Sequence, residues 1–297
     1  MKIAITGTNG LLGQHLVQLL LDNGYSVVAM GKGSDRASFS SSLSYNYYEV
    51  DIADQGALLD ALILEKPDVL VHAAAITKVD ECELQQSQCE NVNVRGTQYT
   101  IRAAEQNCRH FIFVSTDFVF DGAEGNYGEE EDPRPVSFYG KTKLAGERLV
   151  KDCKIPWAVV RTCLVYGNVL AGSRTNIISW VKQSLEQGNA IKVVSDQIRT
   201  PTYVEDLAKG ILLIIQKKAT GIYHISGKDV LTPYAMALQT ARFFGLNKEL
   251  IEEVNASLFT QPAQRPLKTG FNISKARKEL GYEPLSFEEG LSRMFNG

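Results

Sequence analysis

Between the apolar strand Ile3-Ala4-Ile5-Thr6 and the amphipathic stretch that opens at Leu11, the chain carries three glycines, Gly7, Gly10 and Gly13. A buried strand, a glycine turn and a helix, in that order, restrict the fold more than any other feature of the 297 residues. Gly7 permits the tight turn, Gly10 lets backbone approach a phosphate, and Gly13 lets the helix pack closely on the sheet. The spacing is Gly-x-x-Gly-x-x-Gly rather than Gly-x-Gly-x-x-Gly. Turns collect glycine for purely conformational reasons, so the placement between strand and helix carries the argument.

The same rhythm continues through the first half. Strands are expected at Lys2 to Thr6, Tyr25 to Met30, Tyr47 to Val50, Val69 to His72, Phe111 to Ser115 and Trp157 to Arg161. Helical periodicity fills Leu11 to Asn23, Gln55 to Glu65, Asn91 to Asn107 and Ser137 to Asp152. Near-continuously apolar strands alternating with helices predict an α/β fold, a doubly wound (Rossmann) parallel sheet covered on both faces. After Arg161 the pattern loosens. Helices are expected at Arg174 to Gln187, Val204 to Lys217, Pro233 to Phe244, Ser274 to Leu280 and Ser286 to Phe295, with strands at Ile191 to Val194 and Gly221 to Ser226. This predicts a cofactor domain of 1–165 plus about 203–226, interleaved with a smaller substrate domain of about 166–202 plus 227–297.

A net charge of -3 without basic runs gives no reason to expect nucleic acid. No apolar run approaches the roughly 20 residues that span a bilayer. Met1-Lys2 leads straight into the first strand, leaving no room for a cleaved signal, and a cytoplasmic protein is expected. The five cysteines are odd in number with no Cys-x-x-Cys pair, so reduced thiols are expected, without disulfide or zinc. The four histidines have no ligand spacing either, and no metal site is expected. His72, ending an apolar strand, reads as a hydrogen-bonded core imidazole. The Ser-rich 38–44 stretch reads as a mobile loop.

Gly7-Thr8-Asn9-Gly10-Leu11-Leu12 joins the turn to a helix N-terminus, whose unpaired N–H groups and positive dipole end suit a dinucleotide pyrophosphate. An NAD-preferring site usually has a carboxylate at the end of the second strand. Here Met30 is followed by Gly31-Lys32-Gly33-Ser34-Asp35-Arg36. Lys32 and Arg36 can neutralise a 2'-phosphate, so NADPH is expected, with NADH as the alternative. Asp51, beside Ile52, is placed toward the adenine, and Ala73-Ala74-Ala75 gives small side chains for close approach.

Ser115-Thr116 ends the fifth strand, and Tyr139 and Lys143 share one face of the next helix. A tyrosine pKa near 10 must fall by about three units to serve at neutral pH, which requires roughly 4 kcal/mol from a nearby cation and the cofactor. Thr116 would then orient the substrate carbonyl. Tyr-x-x-x-Lys alone occurs on many helices; its pairing with the glycine turn and the Ser-Thr strand end is what makes it informative.

These residues resemble the extended short-chain dehydrogenase/reductase family, and within it the dTDP-4-dehydrorhamnose reductases. The match runs through Ala73 to Asp80, Ser115 to Gly122, Tyr139 to Glu147, Arg161 to Gly167, Asp196-Gln197 with Pro201-Thr202, and Arg265-Pro266. The resemblance implies a catalytic trio of Thr116, Tyr139 and Lys143, with hydride passing from NADPH to C4 of a nucleotide-linked 4-keto-6-deoxy sugar in dTDP-rhamnose biosynthesis. Tyr139 would supply the proton and Lys143 would also hold the nicotinamide ribose. Val79, Asp80, Phe118, Leu164 and Arg265 fall where the family meets its substrate. The reductases usually carry Tyr where this chain has Phe118 and Trp where it has Leu164, so the resemblance leaves the sugar open. It also leaves a homodimer open, and no motif carries over the magnesium-bridged dimers of some reductases. Two other readings stand beside it: an NAD-dependent sugar-nucleotide epimerase or dehydratase, and a non-catalytic NADP-binding subunit like the regulatory subunit of methionine adenosyltransferase.

Overall fold

The computed structural model describes residues 1–36, 39, 42–172 and 176–296. The first half alternates β1 (Lys2–Thr6), α1 (Leu11–Asp22), β2 (Ser26–Gly31), β3 (Tyr45–Glu49), α2 (Gln55–Glu65) and β4 (Val69–His72). It continues through the short helices α3 (Val79–Leu84) and α4 (Gln86–Glu90), then α5 (Gly96–Asn107), β5 (His110–Thr116), α6 (Phe138–Lys151) and β6 (Trp157–Thr162). The second half contains β7 (Val165–Tyr166), α7 (Ile177–Glu186), β8 (Ile191–Val194), β9 (Thr202–Tyr203), α8 (Val204–Lys217), β10 (Gly221–His224), α9 (Pro233–Phe244), β11 (Ile251–Val254) and α10 (Phe287–Asn296).

Seven parallel strands form the main sheet in the order β3-β2-β1-β4-β5-β6-β10. The chain winds outward from β1 to β3, then crosses to the other side of β1 to begin again at β4. The crevice between β1 and β4 is therefore the switch point where such sheets bind ligands. Alternate residues of β1 serve opposite faces. Ile3 and Ile5 pack with Leu16 and Leu20 of α1 and with Leu207 and Ile211 of α8. Ala4 packs with Leu58 and Leu62 of α2 and with Ile101 and Ala104 of α5. Both faces are buried, which is why these strands read as unbroken apolar runs.

Smaller units complete the chain. β8 and β11 pair in parallel, and α7 and α9 cover them through Val181, Leu185, Ala237 and Ala241. A separate cluster joins Tyr166, Tyr203 and Phe287.

Several expectations change. The single helix expected at Asn91 to Asn107 is helical from Gln86, with a wide π turn at Asn91–Arg95. β11 was not foreseen because two of its four residues, Glu252 and Glu253, are exposed and acidic. The Ser-rich stretch and the expected helix start at Arg174 lie partly outside the described residues. The expectation of reduced thiols fails at one pair, since Cys82 and Cys89 form a disulfide. Consecutive short helices meeting at Gln85 bring their Cα atoms to 5.2 Å, within bonding range, although their spacing matches no cysteine motif. His72 is fully buried and hydrogen-bonded by Thr6 (2.7 Å) and Thr97 (3.0 Å), and burial pushes its pKa down to about 3. It is a neutral core imidazole. Among the described residues, no helix is long and apolar enough to cross a membrane, and no cluster of three potential metal ligands occurs.

Candidate active site

The carboxyl ends of β1, β4, β5 and β6 open into one cavity of about 720 Å³. Gly7 begins its floor with φ +79°, a left-handed conformation, and a β-carbon there would sit 2.8 Å from the Ala74 nitrogen. Gly7 and Thr8 both donate to the Met30 carbonyl, which fixes the turn against β2. Among the described residues no side chain caps α1 at Gly10, and residues 10–13 line the cavity, so the first turn of the helix is open on that side. Thr8 is buried behind the turn, and its hydroxyl has no hydrogen-bond partner among the described residues. A close-approach glycine, an open helix end and an unpartnered hydroxyl fit a dinucleotide pyrophosphate.

Of the residues expected to bind the cofactor, Gly7, Asn9, Gly10, Leu11, Leu12, Lys32, Arg36, Asp51, Ile52, Ala73, Ala74 and Ala75 line the cavity, with Tyr139 and Lys143; Thr8 lies just beneath. Asn9 ties the turn to the loop after β2. Its amide donates to the Lys32 and Ser34 carbonyls and to the Tyr47 hydroxyl, each at 3.0 Å, and its oxygen accepts from Arg36 N. The end of β2 holds Gly31 and no carboxylate. Lys32 instead pairs with Asp51 at 2.8 Å, and this bond holds the Asp51 carboxyl below its ordinary pKa. Any move of Lys32 toward a phosphate therefore exchanges one anion for another.

Ser137 caps α6 by accepting from Gly140 N at 3.2 Å. Gly140 lets this first turn press against the Phe118 carbonyl and Pro135, where a β-carbon would overlap both. Tyr139 is thereby set beside Phe118, ring centroids 5.9 Å apart and edge to face. One turn on, Lys143 is buried; its Nζ donates to the Val114 carbonyl at 2.7 Å and lies 4.1 Å over the Phe113 ring. Burial pulls its pKa down to about 7, while the charge of Glu147 pushes it up. The unfolded chain therefore binds a proton that the folded chain releases between pH 7 and about 10.5. Stability contributed by this group should rise with pH across that window. Unfolding of the cofactor-free protein and of Lys143→Met from pH 6.5 to 9.5 checks this: the difference should shift in favour of the wild type as pH rises.

Thr116 sits at the cavity wall, donating to Asp117 Oδ1 at 3.0 Å and accepting from Phe118 N at 3.3 Å. Its one proton is thus committed to Asp117 and must turn away before it can reach a carbonyl. Asp117 is buried and also accepts from Thr269 and, at 3.3 Å, from Cys163. Arg199 approaches it to 4.0 Å while donating to the Ile198, Leu267 and Pro266 carbonyls. Asp117 and Arg199 thus join the end of β5 to the 265–269 segment.

The residues expected to touch substrate divide into two groups. Val79, Thr116, Phe118 and Leu164 line the cavity; Leu164 is exposed and holds φ +39°, unusual for a residue with a β-carbon. Asp80 and Arg265 are not in the wall. They form a bidentate pair with each other at 2.8 and 3.1 Å, and the guanidinium holds the Asp80 carboxyl below its ordinary pKa. The same guanidinium also donates to Gln261 and to the Ala263 carbonyl, which holds it on Asp80 and outside the cavity wall.

Sequence reading missed Asn93, Glu147, Asp117 and Arg199. Asn93, in the π turn, bonds both backbone groups of Ile76 (2.8 and 3.0 Å) and the Thr142 hydroxyl (3.1 Å), locking the alanine segment to α6. A buried asparagine amid helical periodicity was its one signal. Glu147 continues the four-residue spacing of Tyr139 and Lys143, a stripe open to view in the sequence.

The family model for the RmlD substrate binding domain matches residues 1–297. A dTDP-4-dehydrorhamnose reductase from Aggregatibacter actinomycetemcomitans is 30% identical, over 99% of this chain and 98% of that protein. Methionine adenosyltransferase 2 subunit beta from Xenopus laevis is 32% identical, over 82% of this chain and 72% of that protein. The crystal structure of dTDP-4-dehydrorhamnose reductase from Bacillus anthracis in complex with NADP superposes with a TM-score of 0.86 at 27% identity, covering 99% and 98% of the two chains. The chain belongs to the RmlD substrate-binding domain family, among the extended short-chain dehydrogenases/reductases, and is an NAD(P)-dependent oxidoreductase.

Proposed function

We propose that this protein reduces the C4 keto group of a nucleotide-linked 4-keto-6-deoxy sugar with NADPH, in the cytoplasm. The observation that carries the reading is that Thr116, Tyr139 and Lys143 share one cavity with the glycine turn. When bound, NADPH supplies the hydride. Tyr139 donates a proton to the carbonyl oxygen as it becomes an alkoxide, and the Lys143 ammonium lowers the cost of the resulting phenolate. Thr116 turns its hydroxyl from Asp117 to that same oxygen and orients it. The nucleotide end of the substrate extends toward a smaller domain of about 166–202 and 227–297, with Val79, Phe118 and Leu164 around the sugar. Arg265 is released from Asp80 to meet the diphosphate. Leu164 and Phe118 leave room for a sugar other than dTDP-4-dehydrorhamnose.

The test is NADPH oxidation by purified protein with a panel of dTDP- and UDP-linked 4-keto-6-deoxy sugars, dTDP-4-dehydrorhamnose included. Turnover on none of them would overturn the reading and favour a non-catalytic dinucleotide-binding subunit, a role suggested by the likeness to methionine adenosyltransferase 2 subunit beta. Cofactor choice rests on Lys32 and Arg36. Replacing both with Ala should raise the KM for NADPH roughly tenfold, as expected when two exposed charge contacts of up to about 1 kcal/mol each are lost, and leave that for NADH nearly unchanged. Equal efficiency of the wild type with NADH and NADPH would remove the assignment.

A further inference from the structure

Gln14, in the first turn of α1, is buried and uses the full hydrogen-bonding capacity of its amide. Its oxygen accepts from the backbone N–H groups of Leu170 (2.8 Å) and Ala171 (3.0 Å). Its nitrogen donates to the Ala171 carbonyl (3.0 Å) and to the Asn9 carbonyl (3.3 Å). Three bonds reach the segment that follows β7, and the fourth reaches the glycine turn. The neighbouring His15 adds a contact from Nε2 to the Asn168 carbonyl at 2.7 Å.

That segment continues directly from the wall of a second chamber. The chamber has a volume of about 200 Å³ and lies between Leu11, the Leu164 to Gly167 stretch and the start of α7 at Asn176 and Ile177. Leu11, Leu164 and Val165 also line the main cavity, so the two spaces share a wall. Asn176 donates to the Gly167 carbonyl at 2.8 Å and closes the far side. Backbone at 168–171 is anchored to α1 by His15 at Asn168 and by Gln14 at Leu170 and Ala171, and of the two only Gln14 also bonds the glycine turn, while α1 presents its N-terminus to the dinucleotide.

We propose that Gln14 is a positioning residue for the reaction: it makes the 168–171 segment, and with it the shared wall of the second chamber, follow the state of the dinucleotide turn. A pyrophosphate seated on residues 7–13 stiffens the Asn9 carbonyl and the first turn of α1. Gln14 transmits that order to Leu170 and Ala171. Dinucleotide bound first then favours the substrate, and by reciprocity the substrate favours the dinucleotide. The inference rests on the dinucleotide seat assigned above and is independent of which sugar is reduced.

Hydrogen–deuterium exchange of the full chain with and without NADP+ tests it. In the wild type, NADP+ should slow exchange in peptides covering 7–13 and also in those covering 168–172. Protection at 7–13 with no change at 168–172 overturns the coupling. Protection at neither, with NAD+ as well as NADP+, overturns the dinucleotide seat and the coupling together. In Gln14→Met, protection at 7–13 should persist while protection at 168–172 disappears. The KM for the sugar nucleotide should rise roughly tenfold with kcat nearly unchanged, a typical coupling magnitude. NADP+-dependent protection at 168–172 that survives in Gln14→Met also overturns the proposal. Should that variant fail to fold, Gln14→Glu takes its place: it keeps the acceptor oxygens for Leu170 and Ala171 but cannot donate to the Asn9 carbonyl, and NADP+-dependent protection at 168–172 that survives in it overturns the proposal.

Discussion

Tyr139→Phe should lower NADPH-dependent turnover by about 10²- to 10⁴-fold, the range supplied by a positioned proton donor. The substitution deletes one oxygen and keeps the ring that packs edge to face on Phe118 and beside the Cys82–Cys89 pair. Thermal stability should therefore change by no more than about 1.5 kcal/mol, the net worth of one hydrogen bond. NADPH affinity, measured by fluorescence titration, should stay within a few-fold, because the turn at 7–13 is untouched. Loss of kcat with affinity retained separates proton donation from a packing role. Single-turnover mixing of NADPH-loaded protein with substrate reads the step directly. A residual rate within a factor of about three of wild type would assign the proton to another group and remove Tyr139 from the chemistry. Lys143→Met should be nearly as damaging, since it removes the cation that makes the phenolate accessible.

Parts of this architecture are written plainly in the chain. The bounds of β1, β4 and α2 coincide with those expected because local chemistry sets them sharply. Asp54 caps α2 by accepting from Gly56 and Ala57, and Lys66 stops it in a left-handed conformation. Tyr139 and Lys143 are visible because helical spacing alone puts them on one face. The linking devices are not visible, because they join residues far apart in sequence. Nothing local in Asp80 announces Arg265, and nothing in Lys32 announces Asp51, so both pairs read as ligand-directed charges when taken separately. Asp117 shows the same effect: its partners Thr269, Cys163 and Arg199 arrive from three distant segments. Strands β7 and β9 have two residues each, too short for any periodicity to register. The Cys82–Cys89 bond depends on the turn between two one-turn helices, which residue spacing does not encode.

Glu147→Ala should destabilise the protein by roughly 3–5 kcal/mol, the effect of breaking a buried ion pair from one side. Glu147 and Arg161 are each about 1% exposed. Arg161 donates to both carboxylate oxygens, from Nε at 3.0 Å and from the terminal nitrogen at 2.7 Å, and Ser115 donates to the first of them at 2.6 Å. The guanidinium also stands 5.1 Å over the Phe120 ring and 3.4 Å from His224 Nε2. His224 is kept neutral, its pKa pushed down to about 3 by burial and then by the Arg161 charge, and it donates from Nδ1 to the Tyr127 carbonyl. Glu129, the other carboxylate near Arg161, is held by the His224 N–H at 3.0 Å and burial raises its pKa, so truncation at Glu147 removes the bidentate partner of Arg161 without an equivalent replacement. The midpoint of thermal unfolding should fall by about ten degrees for a chain of this size. A second consequence reaches the chemistry. Glu147 pushes the Lys143 pKa up against burial, so its loss lets that value fall below about 7. Activity that needs the Lys143 ammonium should then decline at lower pH in Glu147→Gln than in wild type. Pairing Glu147→Leu with Arg161→Met should recover much of the stability, since well-packed apolar residues replace buried ion pairs at little net cost. It should not recover the pH profile, because the charge facing Lys143 is still gone. A Glu147→Gln variant with an unfolding midpoint and alkaline limb matching wild type would show that Glu147 does neither job.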